Sequence, residues 1–301
     1  MNPEPFLCES NAVLMNTQYI VYQAYGKRDI LNEVLVSISS LYKVTSFTAR
    51  PQIVIFTDSV SYLASFLPPE IQLIDTPISK WKEWKGPQDF VHRAKIEMLR
   101  NFSNSFEGDV LYCDTDTYFV ADPKSIFDQI SKGDLIMHLD EGALKNSNNL
   151  VFRKLEKFLR NYQYQGKAIP SETHMWNAGV LGFSTNDKPI LDQVLAFSDD
   201  LYAAFQKHVM EQLAFSVCFQ QKTRHECQDT IFHYWDFKEY RELLDQFFQK
   251  NEGQKFGSWA KEIEMYNPIK MYDSKLKFLK KPYLLRKILK LLGKGYQIER
   301  I

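Results

Sequence analysis

Asp109-Val110-Leu111-Tyr112-Cys113-Asp114-Thr115-Asp116-Thr117 is a short apolar run that ends abruptly in two carboxylates spaced i, i+2. The part from Asp109 to Cys113 is partly β-branched or aromatic and is bounded by Glu107-Gly108, so it reads as a buried strand rather than a helix. Carboxylates at the carboxyl end of such a strand sit where open α/β sheets bind their ligands. Asp is seldom buried unpaired, so a divalent cation is a natural partner for Asp114 and Asp116. With Mg²⁺ or Mn²⁺ there, a diphosphate would complete the coordination, because hard cations prefer oxygen. A solvated turn with capping Asp residues is the alternative, since isolated D-x-D triplets are common.

The sequence upstream alternates strand and helix. Residues 19–25 form an aromatic, apolar strand ending at Gly26, and residues 29–42 carry Ile30, Val34, Ile38 and Leu41 at helical spacing. A second strand at 52–57, a short helix at 62–67 and a third strand at 71–74 follow. This alternation predicts a parallel sheet with crossover helices. No G-x-G-x-x-G follows the first strand and no G-x-x-x-x-G-K-[ST] occurs, so dinucleotide and P-loop readings lose their main support. Lys80-Trp81-Lys82-Glu83-Trp84-Lys85-Gly86-Pro87 reads as a loop, either a lid over a ligand or a cover for the sheet end. A helix over 89–101 presents Val91, Ala94 and Met98 on one stripe and carries His92, Arg93 and Lys95 in its first half; Lys95, with Arg93 as substitute, is a candidate to reach a phosphate, and an ordinary solvated helix face is the alternative. Tyr25, at the end of the first strand, is a further binding candidate.

Composition limits the classes. The 301 residues are 45% hydrophobic and 25% charged, ordinary globular values, and suffice for a substantial core. The 37 basic and 37 acidic residues cancel, which gives no case for nucleic acid. The cancellation hides an asymmetry: residues 274–298 hold eight Lys/Arg and no Asp/Glu, whereas residues 1–273 carry 28 basic and 36 acidic residues. Cys8, Cys113, Cys218 and Cys227 form no C-x-x-C pair, the pattern of reduced thiols in a cytosolic protein. The N-terminus, with Glu4 and Glu9, does not read as a signal peptide, and no apolar run approaches the length of a membrane span.

The order of these elements, with the basic helix followed by a hydrophobic strand ending in D-x-D, resembles the nucleotide-sugar-binding half of GT-A glycosyltransferases. Asp122-Pro123 then opens a helix and residues 134–139 a further strand. Met175-Trp176-Asn177-Ala178-Gly179-Val180 resembles the family's N-[AS]-G-[VIL] segment, and Met210-Glu211-Gln212-Leu213-Ala214-Phe215 is similar to its D-Q-x-x-[LF] stretch. Ile231-Phe232-His233 falls where family 8-like members, of the galactosyltransferase and glycogenin kind, carry a third metal ligand.

The resemblance implies an α/β GT-A fold: a Rossmann-like mixed sheet flanked by helices, with residues 1–250 catalytic (17–121 nucleotide-binding, 122–250 acceptor half) and 251–301 a helical, basic extension. It implies a metal-dependent hexosyltransferase using Mn²⁺ or Mg²⁺ and a nucleoside diphosphate sugar. Asp114, Asp116 and His233 would be metal ligands, with Asp114 also touching the ribose, and Asn177 would contact the donor sugar or lie beside it. Glu211-Gln212 stands where many retaining members have Asp-Gln, so the positioning of the anomeric carbon differs. Asp140-Glu141 offers a general base, which would mean inversion. Retention is otherwise favoured, and bacterial surface glycan or lipopolysaccharide assembly is the setting, with a glycan or glycolipid acceptor. The protein would be cytoplasmic, held to the inner membrane face through 275–294, where Leu284, Leu285, Ile288, Leu289 and Leu292 form an apolar stripe beside Arg286, Lys287 and Lys290. The same stripe would equally suit packing on the catalytic domain.

Three other classes compete. A haloacid-dehalogenase-type phosphatase shares D-x-D-x-[TV], but here Tyr118 holds the fifth position and the motif follows several βα units. A nucleotidyltransferase would need a Gly-rich basic loop after Tyr25, which is absent. A non-catalytic GT-A-like nucleotide-sugar-binding protein would use the same residues as an enzyme.

Overall fold

The computed structural model describes residues 16–296 and 298; Cys8, Glu4 and Glu9 lie outside them. The first half is β1 (Gln18–Gln23), α1 (Arg28–Val44), β2 (Gln52–Thr57), α2 (Val60–Phe66), β3 (Gln72–Asp75), α3 (Ile78–Lys85), α4 (Arg93–Ser105) and β4 (Asp109–Cys113). Next come β5 (Thr117–Phe119), α5 (Lys124–Ile130), β6 (Leu135–Met137), β7 (Asp140–Ala143), α6 (Leu150–Leu159) and a small hairpin, β8 (Gln163–Tyr164) with β9 (Lys167–Ala168). Then β10 (His174–Trp176), β11 (Val180–Ser184), α7 (Lys188–Ala204), α8 (Met210–Cys218), β12 (Arg224–Glu226) and β13 (Ile231–His233) complete the sheets. Four helices follow: α9 (Lys238–Lys250), α10 (Phe256–Glu262), α11 (Pro268–Leu279) and α12 (Tyr283–Leu291).

The fold is a mixed α/β sheet flanked by helices, with a helical C-terminal extension, as the sequence predicts. Seven strands lie in the order β12-β6-β11-β4-β1-β2-β3. β4, β1, β2 and β3 are parallel, whereas β11 runs antiparallel to both β4 and β6. All five residues of β4 are buried, because helices cover both faces. Side chains alternate accordingly: Val21, Val54 and Val110 join one core with Ala94, Met98 and Leu213, while Ile20, Ile53 and Leu111 join the other with Leu35, Phe127 and Tyr240.

Two elements differ from expectation. The stretch with the two tryptophans is helix α3, and Trp81 and Trp84 are buried against the sheet rather than mobile over a ligand. Their i, i+3 spacing puts both indoles on one face, and the flanking charges stay outside. The next helix starts at Arg93 rather than Asp89, because Gly86 (φ 69°) and Asp89 (φ 51°) turn the chain in the left-handed region. Val91 is therefore exposed, while Ala94 and Met98 point inward as expected. Among the described residues, no helix is long and apolar enough to cross a membrane.

Candidate metal and donor site

Asp114 and Asp116 lie in the tight turn between β4 and β5, beyond the carboxyl end of the most central strand. β13 pairs antiparallel with β5 in a register that sets His233 opposite Thr117, next to Asp116. On the other side, Asp114 N donates to Gly179 O at 2.7 Å, which ties the end of β4 to the Asn177-Ala178-Gly179 turn. Three distant segments thus converge by sheet pairing alone. His233 Nε2 lies 3.1 Å from Asp116 Oδ1 and 3.9 Å from Asp114 Oδ2. Ligand atoms of all three residues fall within 4.8 Å of one another.

A buried charge network surrounds this trio. Lys95 Nζ reaches Asp114 Oδ1 (3.3 Å), Glu211 Oε1 (3.0 Å) and the Ala178 carbonyl (3.0 Å). These three oxygens surround the ammonium, so a direct donor-phosphate contact would compete with them. Arg241, from α9, pairs with Glu33 of α1 at 2.7 Å and lies 3.5 Å from Asp116 Oδ2. The Tyr112 hydroxyl donates to Asp114 Oδ1.

The charges do not balance. Fully ionised, Asp114, Asp116, Glu33 and Glu211 would carry four negative charges against two positive ones on Lys95 and Arg241, and without an ion the cluster relieves this excess by taking up protons. Protonation pressure shows where this is felt. Burial, then the Asp116 charge, pushes the Glu33 carboxyl up to about 8 despite Arg241. Burial raises Glu211 to about 7, with Lys95 opposing and Asp114 adding to the rise. Burial opposes a charged His233, but Asp116 and Asp114 outweigh it and hold its pKa above the usual value. One divalent cation would take the place of those protons, and two carboxylates plus an imidazole are a donor set suited to Mn²⁺ or Mg²⁺. The residues present therefore fit such an ion.

Asp114 and His233 open on a cleft of about 190 Å³ whose walls also include Lys95, Asn177, Glu211 and Gln212, with Asp116 behind them. Gln212 Nε2 and Asn177 Nδ2 both donate to Glu141, at 2.7 and 3.2 Å. The other candidates lie elsewhere. Asp140 turns away from Glu141, as neighbours on a strand do, and is held by His174 (2.6 Å) and the Gly142 amide (2.8 Å). Arg93 projects from another side of α4 than Lys95 and is occupied by Asp199 (2.7 Å), Glu97 (3.0 Å) and the Trp84 carbonyl (2.7 Å). Tyr25 stacks on Trp81 with centroids 4.0 Å apart. Glu33 and Arg241 are additions to the sequence reading. Each is a charge set within its helix's apolar stripe, Glu33 three residues after Ile30 and Arg241 three before Leu244, and that was their only signal.

No protein-family model matches the chain, and no curated protein does. Solved structures similar to it include mouse xyloside xylosyltransferase 1 in its apo form, with 11% identity and a TM-score of 0.45 over 70% of this chain and 85% of that one. The glycosyltransferase GlyE of Streptococcus pneumoniae shares 14% identity, with a TM-score of 0.44, over 78% of this chain and 50% of that one. The bifunctional glycosyltransferase WbbM, in its apo form, gives 14% identity and a TM-score of 0.44 over 71% and 40%. The chain thus spans half or less of the last two proteins. At this level the likeness identifies neither a family nor a substrate.

Proposed function

We propose that the chain is a metal-dependent GT-A-type glycosyltransferase that moves a hexosyl group from a nucleoside diphosphate sugar to a hydroxyl acceptor. The observation that carries this reading is the Asp114, Asp116 and His233 trio at the carboxyl end of the central strand, with ligand atoms within 4.8 Å of one another. Asp116 and His233 are the inner ligands, and the more exposed Asp114 is shared between ion and donor. A bound Mn²⁺ or Mg²⁺ supplies Lewis acidity to the departing diphosphate. Lys95 fixes Asp114 and compensates Glu211, while Gln212 and Asn177 border the donor sugar. The bond from the anomeric carbon to the diphosphate oxygen breaks and the bond to the acceptor oxygen forms. In the retaining course favoured by the Glu211-Gln212 resemblance, the acceptor proton passes to a donor phosphate oxygen.

One observation favours a second course. Glu141, not Asp140, faces the cleft and is held there by Gln212 and Asn177, so it is placed to act as a general base for inversion. Proton NMR of the first-formed product separates the two: an α-linked product from an α-donor supports retention, and a β-linked one moves the role to Glu141.

The acceptor is proposed to be a glycan or glycolipid of a bacterial surface. Trp235 lines the cleft with 59% of its surface exposed, and an open indole face suits the C–H face of a pyranose. In α12 Leu284, Leu285 and Ile288 are exposed and Leu289 is half-buried, and Leu292 just after it is exposed, with Arg286, Lys287 and Lys290 among them. Such a helix fits the interface of an anionic bilayer, where a lipid-linked acceptor would be presented. A thermal-shift screen of nucleotide sugars with Mn²⁺ or with chelator tests donor binding, and a transfer assay on the hits separates an enzyme from a non-catalytic binder.

A further inference from the structure

Asn177 makes a contact that its resemblance to a donor-sugar residue does not explain: it is hydrogen-bonded to the imidazole of His233. The bonds around it determine which atom is which. Gly179 N lies 3.0 Å from Asn177 Oδ1, and a backbone amide can only donate, so that position is the amide oxygen. The amide nitrogen points the other way and donates to Glu141 Oε1 at 3.2 Å, which agrees. His233 Nδ1 sits 3.1 Å from the same oxygen. An amide oxygen cannot donate, so Nδ1 carries the hydrogen. Without an ion Nε2 also carries a hydrogen, toward the Asp116 carboxylate at 3.1 Å; a cation taking the place of that proton would meet the Nε2 lone pair, with Nδ1–H still held by Asn177.

We propose that Asn177 is a positioning residue for the metal ligand: its side-chain oxygen holds His233 in the Nδ1–H tautomer, with Nε2 free to ligate. The inference rests on the reading of Asp114, Asp116 and His233 as the metal site. Backbone pairing makes the oxygen a fixed reference, since Asn177 N donates to Leu139 O (2.8 Å) and Asn177 O accepts from His138 N (3.1 Å). The ring has little freedom to turn over. It is 4% exposed and meets the His138 ring edge-on at 5.3 Å. Gly179 closes the other side, where even one methyl would lie within 2.8 Å of Nε2 and closer to Nδ1 and Cε1. Asn177 and Gly179 thus act together, one orienting the imidazole and the other leaving space for it. Outer-shell partners of this kind fix tautomer and ring orientation in metal sites.

The test is Mn²⁺ binding to the full chain with no nucleotide present, followed by electron paramagnetic resonance of free Mn²⁺. Asn177→Leu should weaken binding about 10–100-fold, the usual effect of losing an outer-shell partner. Asn177→Asp, which keeps an acceptor oxygen beside Nδ1, should stay within about threefold of wild type. Both variants lose the amide donor to Glu141, so a role confined to the donor sugar would leave Mn²⁺ affinity unchanged in both and would overturn the proposal. Equal weakening in both would overturn it too. If wild type itself fails to bind Mn²⁺, the metal-site reading falls and takes this inference with it. Long-range ¹H–¹⁵N spectra of the imidazoles in wild type with Mg²⁺ need no variant: hydrogen on Nδ1 of His233 is expected, and hydrogen on Nε2 would refute the assignment.

Discussion

Gly179→Ala changes one hydrogen for a methyl and should remove the metal site. Gly179 is not required for its backbone freedom, since its φ is not positive; it is required because His233 lies where a Cβ would be. That carbon would be within 2.8 Å of Nε2 and nearer still to Cε1 and Nδ1, whereas non-bonded carbon contacts settle at about 3.5–4.0 Å. The ring must therefore shift by about 1 Å or more, against the about 0.2 Å that metal-ligand distances tolerate. It cannot shift cheaply, being nearly buried and bonded to both Asn177 and Asp116. Overpacking of this kind costs about 1–3 kcal/mol of stability. Mn²⁺ affinity should fall at least 10-fold. Gly182→Ala, in β11 just beyond Gly179, is the control, because its methyl would crowd Ile136 at 2.6 Å, away from the ligands. Both variants should lose stability in denaturant titrations, but only Gly179→Ala should lose Mn²⁺ in titrations followed by paramagnetic resonance. Mn²⁺ binding by Gly179→Ala at wild-type affinity would refute the packing argument.

Lys95→Met leaves Glu211 buried without its partner and should cost about 3–5 kcal/mol in urea unfolding; Lys95→Met/Glu211→Leu should recover much of that, and equal losses in both would show that the pair is not coupled. Burial, with the nearby His233 charge adding to it, holds His138 down to about 4. An unfolded histidine binds its proton near 6.5, so the contribution of His138 is full above pH 6.5 and is lost as pH falls toward 4, by up to about 3 kcal/mol. His138→Gln should flatten stability measured between those pH values, and an unchanged slope would contradict the assignment. Liposome co-sedimentation should show the full chain, but not a version ending at Asp273, on anionic vesicles at low salt; equal, negligible binding by both would show that α12 serves the fold alone.

What could be read from the sequence follows from how local each feature is. The strand before Asp114 and the two carboxylates are contiguous, so period and residue type expose them. The parallel pairing of β1 to β4 is recoverable because strand and helix alternate up to β4. His233 and Asn177 could be placed only by their order along the chain, since it is the β13–β5 register and the antiparallel β11 that bring them to Asp116. The Glu33–Arg241 pair spans 208 residues, and no local pattern predicts which two helices will meet. Asp140 and Glu141 are equivalent in sequence, yet strand alternation lets only one face the cleft. Arg93 and Lys95 differ likewise, being about 200° apart around a helix of 3.6 residues per turn. The α3 misreading had a visible remedy, because Trp81 and Trp84 at i, i+3 signal a helix even among charges.

The most direct test of the central claim is calorimetric titration of a panel of nucleoside diphosphates into wild type and Asp116→Asn, each in Mn²⁺ and in chelator. At least one nucleoside diphosphate should bind wild type at least tenfold more tightly with Mn²⁺ than with chelator, and Asp116→Asn should lose that difference while unfolding as cooperatively as wild type. Nucleotide binding that is indifferent to both chelator and Asp116→Asn, or no binding of any nucleoside diphosphate in Mn²⁺, would contradict it.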